Sequence, residues 1–351
     1  KVIPDMRVRA GNAMKEIINK LEENELKTIC NKKDCIGCLL CKNKCPKDAI
    51  TIEKDDMGYC YPKIDLEKCI KCNLCRDVCP VNKPKTSPKS EKICYACKSK
   101  NENVRLNSSS GGFFQVLATQ FIKDMNGVVY GASVINGQTK HIKVSKVADL
   151  KKIRGSKYTQ SMIIDIMPNL DEDIKNERNI LFSGTPCQID AVKKLANNYK
   201  NIYYASIICH GVMNNDVEKF VLKRKGYPKN FKVEYHRKDI AWDAPTIKIE
   251  TKTNEEVIAY GDSDLMTLYL NNTVLRHSCY SCKFKGNNNY SDIIMGDYWG
   301  VFKHHSEIYD KTGVSAVIIN TKKGQKLFEK LNLLSHLDYE ETDYNKTDIN
   351  S

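Results

Sequence analysis

The chain has 351 residues, of which 41% are hydrophobic and 28% are charged, the balance typical of a soluble globular protein. Its longest apolar runs, at 128–135 and 202–209, are too short to cross a bilayer, and no secretion signal is recognisable. We therefore expect a cytoplasmic chain with one large domain and a small appendage, and no membrane insertion. The formal charge is +13, but no basic run is interleaved with aromatic residues, so we expect no nucleic-acid partner.

The N-terminal part of the chain predicts a helical extension, residues 1–29. Its apolar residues Met14, Ile17, Ile18 and Leu21 are spaced to form one stripe on a helix. A cysteine-dense segment follows at 30–80. Residues 81–92 contain prolines and lysines without an apolar pattern, which indicates a solvated linker.

The remainder, residues 93–340, alternates apolar runs with amphipathic segments. Continuous apolar strands joined through helices indicate a mixed α/β sheet. The polar residues 341–351 are expected to form a frayed tail. The predicted strands are 92–98, 127–135, 141–147, 179–183, 202–209, 231–236, 246–251, 256–260, 291–296 and 314–320. The predicted helices are 112–125, 188–198, 215–225 and 323–334.

Sixteen cysteines without a secretion signal indicate metal binding rather than disulfides. The pattern Cys-x2-Cys-x2-Cys-x3-Cys-Pro occurs twice, at 35–46 and 69–80. In such a repeat three thiolates of one loop hold a [4Fe–4S] cluster, and the fourth reaches across to the other cluster. Zinc sites use pairs of CxxC instead, so structural zinc is the weaker alternative. The predicted ligands are Cys35, Cys38, Cys41 and Cys79 for the first cluster, and Cys69, Cys72, Cys75 and Cys45 for the second.

The module is expected to transfer electrons and not to catalyse a reaction on a substrate, because neither cluster has a free ligand position. Gly37 is expected to let the first loop approach its cluster closely. The basic surface of the chain is then either simply solvated or a docking face for an acidic redox partner such as ferredoxin.

Four further cysteines are candidates for a third [4Fe–4S] site: Cys187, Cys209, Cys279 and Cys282. Two of them follow apolar strands, and if those strands are parallel, both lie at the C-terminal edge of the sheet, where α/β sites gather. Structural zinc and unpaired buried thiols are the alternatives. The last four, Cys30, Cys60, Cys94 and Cys97, lack partners at a useful spacing.

Two polar loops are candidates for a phosphate or flavin site, although no GxGxxG or P-loop is present. Ser108–Gly112 opens a helix and either binds a pyrophosphate or simply caps the helix. Gly155–Ser161 either supplies a cation and donors or is an ordinary loop. His210 and Asp297 border these loops and are the candidate proton carriers.

The motifs SSSGGFF, GSKYTQS, FSGTPCQIDA, IICHGV, CYSCKFK and SDIIMGDYWG, in this order behind a dicluster module, resemble the coenzyme F420 hydrogenase/dehydrogenase beta-subunit family over about residues 34–335. The resemblance implies an FAD-containing oxidoreductase and supports the third cluster. It requires no catalytic side chain, because the flavin carries the chemistry. The FAD contacts that it implies are Ser109, Ser110, Gly111, Gly112, Lys157, Tyr158, Gln160, Ser161, Gly184 and Thr185.

The expected fold class is α+β, with a small dicluster ferredoxin-like domain at 30–80 and a larger mixed α/β flavin-binding domain at 93–340. The expected function is electron transfer between a small-molecule hydride carrier, such as reduced coenzyme F420, and ferredoxin or a redox partner subunit. The alternative is an electron-transfer relay subunit whose catalytic site lies on another chain.

Overall fold

The computed structural model describes residues 28–82 and 91–347. The predicted N-terminal helix and most of the predicted linker lie outside the described residues. The described strands are β1 (Ile50–Lys54), β2 (Cys60–Ile64), β3 (Ile93–Ser99), β4 (Val128–Ile135), β5 (Gln138–Val144), β6 (Ile180–Gly184), β7 (Ile202–Ile207), β8 (Phe231–Ala241), β9 (Ala244–Thr251), β10 (Glu255–Ala259), β11 (Ile293–Asp297), β12 (Ser315–Ile319) and β13 (Leu337–Thr342). The described α-helices are α1 (Leu40–Asn43), α2 (Leu74–Asp77), α3 (Glu102–Leu106), α4 (Phe113–Met125), α5 (Met167–Lys175), α6 (Pro186–Ala196), α7 (Asn215–Arg224), α8 (Asp264–Leu270), α9 (Val301–His304) and α10 (Lys322–Lys330).

The small module is an antiparallel hairpin, β1 and β2, that lies between two cysteine loops. Each loop leads into a helix of one turn, α1 or α2. The residue before each helix adopts a left-handed backbone, with φ of 58° at Leu39 and 59° at Asn73. The repeat seen in the sequence is therefore also a repeat of backbone conformation.

The large domain is built on an eight-stranded sheet in the order β13-β3-β12-β11-β7-β6-β4-β5. The four strands β11, β7, β6 and β4 are parallel, and the remaining pairs are antiparallel. The predicted mixed sheet is thus confirmed, and the segments after β6 and β7 leave the sheet at the same edge. A separate antiparallel sheet, β10-β9-β8, packs nearby.

Helices cover both faces of the large sheet. On one face Val129 and Leu181 pack against α4. On the other face Phe182 packs against α6, and the small module joins the same apolar cluster through residues such as Ile36 and Leu40. The small module and the large domain therefore share one continuous core.

Helices α5 and α8 and the hairpin of β1 and β2 were not predicted, and two strands of the large domain differ from the prediction. Strand β8 continues past the predicted end at 236 to Ala241, because β9 pairs with its extension. Strand β13 was not predicted, and it includes the first two residues of the predicted tail. Only its first residue, Leu337, is buried, so this acidic edge strand carries almost no apolar pattern and is held by its pairing with β3. In the described part of the chain, no helix has both the length and the apolar character that a membrane span needs.

Candidate functional site

Each predicted set of cluster ligands lines its own cavity in the small module. The first cavity is lined by Cys35, Cys38, Cys41 and Cys79, with Cys30 beside them. The second cavity is lined by Cys45, Cys69, Cys72 and Cys75. In both cases three cysteines come from one loop and the fourth comes from the other repeat. This crossed arrangement is the one that a dicluster module needs.

Backbone amides point at the sulfur atoms of these loops. The N–H groups of Gly37 and Leu40 donate to the thiols of Cys35 and Cys38, and Ala49 N lies 3.3 Å from Cys45 Sγ. Hydrogen bonds to cluster sulfurs are one of the means by which a protein sets a reduction potential. The loops thus offer both ligands and amide donors to a four-iron core.

The two cavities are adjacent but differ in depth. Burial raises the pKa of Cys41 to about 12, with contributions from Cys35 and, across the module, from Cys75. In the first cavity Cys35, Cys41 and Cys79 are buried, whereas Cys72 of the second is exposed. The second site is therefore the one that faces the surroundings of the protein.

Cys30 does have partners, contrary to the prediction. Its thiol is hydrogen-bonded to the thiols of Cys35 and Cys79, which raises the pKa of Cys30 and lowers that of Cys35 to about 6. The proton therefore stays on Cys30, while Cys35 and Cys79 are the groups that become thiolates. Sequence spacing missed this contact because Cys30 precedes the repeat and belongs to no motif.

The four cysteines of the candidate third site also come together. Cys187 and Cys209 follow the parallel strands β6 and β7, so both lie at the C-terminal edge of the sheet, as predicted. Burial raises the pKa of Cys209 well above its ordinary value, and the neighbouring thiols of Cys187, Cys279 and Cys282 raise it further. In contrast, Cys94 and Cys97 on β3 lie in different apolar clusters on opposite faces of the sheet.

Among the described residues no three potential ligands converge tightly enough to hold one ion. A zinc site gathers its sulfurs at about 2.3 Å from one atom, whereas a cubane carries them at the corners of a larger core. The donor set is all-thiol at each of the three sites, which fits an iron–sulfur cluster.

The three segments predicted to contact FAD meet above the sheet edge. Ser109 Oγ accepts a hydrogen bond of 2.8 Å from Ser156 N, which joins the first loop to the second. His141 contacts Ser161 Oγ at 2.7 Å and Ser183 O at 2.9 Å, which joins the second loop to the end of β6. Sequence reasoning did not identify His141, because it lies within a strand and matches no motif.

Lys157 is a desolvated cation at this meeting point. Its Nζ donates to the backbone carbonyls of Arg154 at 2.7 Å and Gly155 at 3.1 Å, and burial lowers its pKa to about 7. Both acceptors are neutral. A half-buried ammonium that has only neutral acceptors is a favourable partner for an anionic group such as a phosphate.

Other predicted FAD residues are packed against protein. Tyr158 lies in an aromatic cluster, 4.7 Å from the ring of Tyr269, and its hydroxyl meets that of Tyr260. Gln160 Nε2 donates to Ile36 O at 2.8 Å, so this side chain reaches the small module.

The glycines and polar residues at the helix ends have structural contacts of their own. A Cβ on Gly111 would lie 2.5 Å from Cys97 O, so that glycine is needed for packing on β3. Gly112 precedes α4 with a φ of 89°, and Ser110 Oγ donates to Val314 O at 3.0 Å. Thr185 forms a capping box at the start of α6, and a Cβ on Gly184 would meet Gln188 Oε1 at 2.9 Å.

The two candidate proton carriers differ in their surroundings. His210 is exposed, with its ring 5.2 Å from that of Tyr269. Asp297 ends β11, and its Oδ1 accepts a hydrogen bond of 2.8 Å from Trp242 Nε1. Its second oxygen faces His236, a buried residue that the motifs did not identify.

Two families of known proteins match parts of the chain. Residues 34–83 match the 4Fe-4S dicluster domain, and residues 177–344 match the C terminus of the beta subunit of coenzyme F420 hydrogenase/dehydrogenase. The fold and the cysteine loops therefore define an iron–sulfur electron-transfer protein of the oxidoreductase type. The chain thus carries the C-terminal region of the coenzyme F420 hydrogenase/dehydrogenase beta subunit behind a dicluster domain, which confirms the resemblance.

A solved structure also aligns with the chain. A chain of the F420-reducing [NiFe] hydrogenase complex from Methanosarcina barkeri, determined with xenon, shares 15% identity with a TM-score of 0.49. The similarity covers 74% of the present chain and 84% of that chain. The comparison with curated proteins found no match.

Proposed function

We propose that the chain is an FAD-dependent oxidoreductase that passes electrons between a two-electron carrier and a one-electron partner through three [4Fe–4S] clusters. The carrier is reduced coenzyme F420 or another hydride donor or acceptor, and the partner is ferredoxin or a redox subunit. The observation that supports this most strongly is the gathering of the twelve candidate ligands into three all-thiol groups, two of which line their own cavities.

The three groups are arranged from the interior to the surface. The third site lies at the sheet edge, beside the loops proposed to hold FAD. Arg276 contacts Cys35 of the first site and carries its charge close to Cys279 of the third. The first site adjoins the second, whose Cys72 is exposed. This order supports electron flow between a buried cofactor and a partner at the surface.

The chain's own residues would bind and orient FAD at the sheet edge. Lys157 would pair with the pyrophosphate, and Ser109 would add a hydroxyl, since both lie where the loops meet. When bound, FAD supplies the exchange between hydride and single electrons. The buried aromatic residues around Tyr158 would exclude water from this side of the site.

The partner would dock where the second site reaches the surface. Ile70 and Leu74 flank Cys72 and are 56% and 47% exposed, which is unusual for large apolar side chains. Lys71 lies between Ile70 and Cys72. Each four-thiolate cluster carries a charge of about −2, so three clusters would leave an excess of about +7. That excess favours an acidic partner.

The second candidate function is a relay subunit whose catalytic site lies on another chain. It is favoured by Gln160, a predicted FAD contact that is instead bound to the small module. An anaerobic assay of the isolated chain with reduced coenzyme F420 and a viologen separates the two functions. Turnover supports the enzyme, whereas cluster reduction without turnover of any two-electron donor supports the relay.

Iron and flavin content test the cofactors directly. We expect about twelve irons per chain after anaerobic purification, from three four-iron clusters, and one extractable FAD. The variant Cys209→Ala should lose about four of these irons and retain the resonance signals of the dicluster pair. Cys94→Ala, which alters another buried cysteine, is the matched control and should keep all of them. About eight irons in the native chain would eliminate the third cluster.

A further inference from the structure

Arg276 is a fully buried arginine between two cysteine loops. Its side chain is 1% exposed. Nε donates to Cys35 O at 2.7 Å, and Nη2 donates to Cys60 O at 2.9 Å. Nη1 donates to Gln160 Oε1 at 3.1 Å. All three oxygen acceptors are neutral, although arginine is always charged.

The charge of Arg276 has no carboxylate partner in the described ranges 28–82 and 91–347. The rings of Tyr61 and Tyr59 lie 4.5 and 5.3 Å from its guanidinium carbon and offset part of the desolvation. Burying an unpaired ionised group is otherwise far too costly for a folded protein. The remaining compensation comes from negative charge on the neighbouring thiolate of Cys35 and on the clusters that the cysteines would hold.

Candidate ligands of both sites lie close to Arg276. Nη2 lies 3.8 Å from Cys35 Sγ, the first ligand of the first site. On the other side, Arg276 O accepts a hydrogen bond of 2.8 Å from Cys279 N, so the arginine begins the turn that carries the third site. Its charge also acts on Cys187. Arg276 therefore stands between two sites that each gather four thiolates.

The two cysteine repeats differ at the one position that this arginine approaches. Gly37 and Lys71 follow the first cysteine of their loops by two residues, and both are left-handed, with φ of 68° and 57°. A left-handed backbone thus does not demand glycine here. A Cβ on Gly37, however, would lie 2.6 Å from Arg276 Nη1 and 2.7 Å from its Cζ. This glycine therefore makes room for the guanidinium.

We propose that Arg276 is an electrostatic bridge that raises the reduction potentials of the first and third clusters relative to the second. A fixed positive charge and an N–H···S contact both favour the reduced, more negative cluster. Electrons would thereby be retained at the two inner clusters until a partner accepts them from the second. This inference rests on the clusters of the proposed function and concerns their potentials, not their presence.

The test is an anaerobic redox titration of the full chain, followed by electron paramagnetic resonance. Arg276→Gln should lower the midpoint potential of the first cluster relative to that of the second. The equilibrium constant for electron exchange between the two clusters should change by at least about tenfold. Arg276→Lys should restore much of that equilibrium, because it keeps the charge. Arg76→Gln, a change beside Cys75, should leave the first cluster's midpoint unchanged.

A second pair of variants covers the outcome in which Arg276→Gln fails to fold. Gly37→Ala displaces the guanidinium and should also lower the midpoint potential of the first cluster. Lys71 occupies the equivalent left-handed position without an arginine nearby, so Lys71→Ala should leave that potential unchanged. The inference would be overturned if these two variants had the same midpoint potential for the first cluster. It would also be overturned if Arg276→Gln kept its full iron content and the native midpoint potential of that cluster. Loss of iron from the native chain would instead contradict the proposed function.

Discussion

The imidazole of His236 faces the carboxylate of Asp297, with Nδ1 3.4 Å from Oδ2. His236 is only 3% exposed and adopts a left-handed backbone with a φ of 52°, which is strained for a residue with a side chain. Its Nε2 has no hydrogen-bond partner among the described residues. Its ring lies parallel to that of Trp299, with centroids 5.9 Å apart. A histidine oriented by a carboxylate, with its other nitrogen available, has the arrangement of a proton carrier.

We therefore predict that His236→Gln lowers turnover with a hydride donor about a hundredfold or more, since proton transfer by a positioned group contributes at least that much. Iron and flavin content should be unchanged. The exposed His304 offers the matched control, and His304→Gln should turn over like the native chain. Native turnover in His236→Gln would mean that the pair with Asp297 has only a structural role.

Lys157 predicts a pH dependence of FAD binding. The flavin-free lysine has a pKa lowered to about 7 by burial, and a bound pyrophosphate favours its charged form. FAD affinity should therefore fall as the pH rises from about 7 to 9, by up to about tenfold per unit. Fluorescence titration of the flavin-stripped chain measures this slope.

Two variants separate Lys157 from the other groups that titrate in this range. Lys157→Gln should bind FAD more weakly at pH 7 and with a flatter profile, whereas the exposed Lys151→Gln should behave like the native chain. A slope that persists unchanged in Lys157→Gln would assign the effect to another group.

Cys30 is predicted to be a neighbour of the first cluster and not a ligand, because it holds the proton that Cys35 and Cys79 lack. Cys30→Ser should keep the native iron content and the native resonance signals. Cys79→Ser should lose about four irons. If Cys30→Ser loses them instead, the ligand set of the first site is wrong.

Tyr59 holds the small module against the large domain. Its buried hydroxyl lies 2.9 Å from both Val212 O and Val274 O. Tyr59→Phe leaves Val274 O without a donor, whereas Val212 O keeps its hydrogen bond from Arg276 N, and losing this buried hydrogen bond costs about 1–3 kcal/mol. The melting temperature should fall by several degrees, as followed by circular dichroism under anaerobic conditions. Tyr339→Phe, at an exposed position, should melt with the native chain.

The features that could be predicted from the sequence are those set by local spacing. The two repeats fix which thiols can reach a common cluster, and the apolar runs locate β4, β6 and β7. The edge strand β13 was not predicted, because an exposed strand lacks the apolar alternation on which such predictions depend. The other predicted strands of the large sheet, and the predicted helices beside them, differ from the observed elements mainly at their ends.

The contacts that organise the site join distant segments and could not be predicted. Arg276 and Cys35 are 241 residues apart, and no pattern along the chain relates them. The same holds for His141, whose hydrogen bonds connect two loops. Gly37 illustrates the difference, because its presence could be read from the sequence, whereas its reason depends on an arginine from the other end of the chain.

The shared core of the two domains has a consequence for biogenesis. Cys35, Cys41 and Cys79 are closed in by Arg276 and by apolar contacts that reach α6. The proposed first cluster would therefore form more readily before the small module packs against the large domain than after it, and replacing it in the folded chain would require local opening.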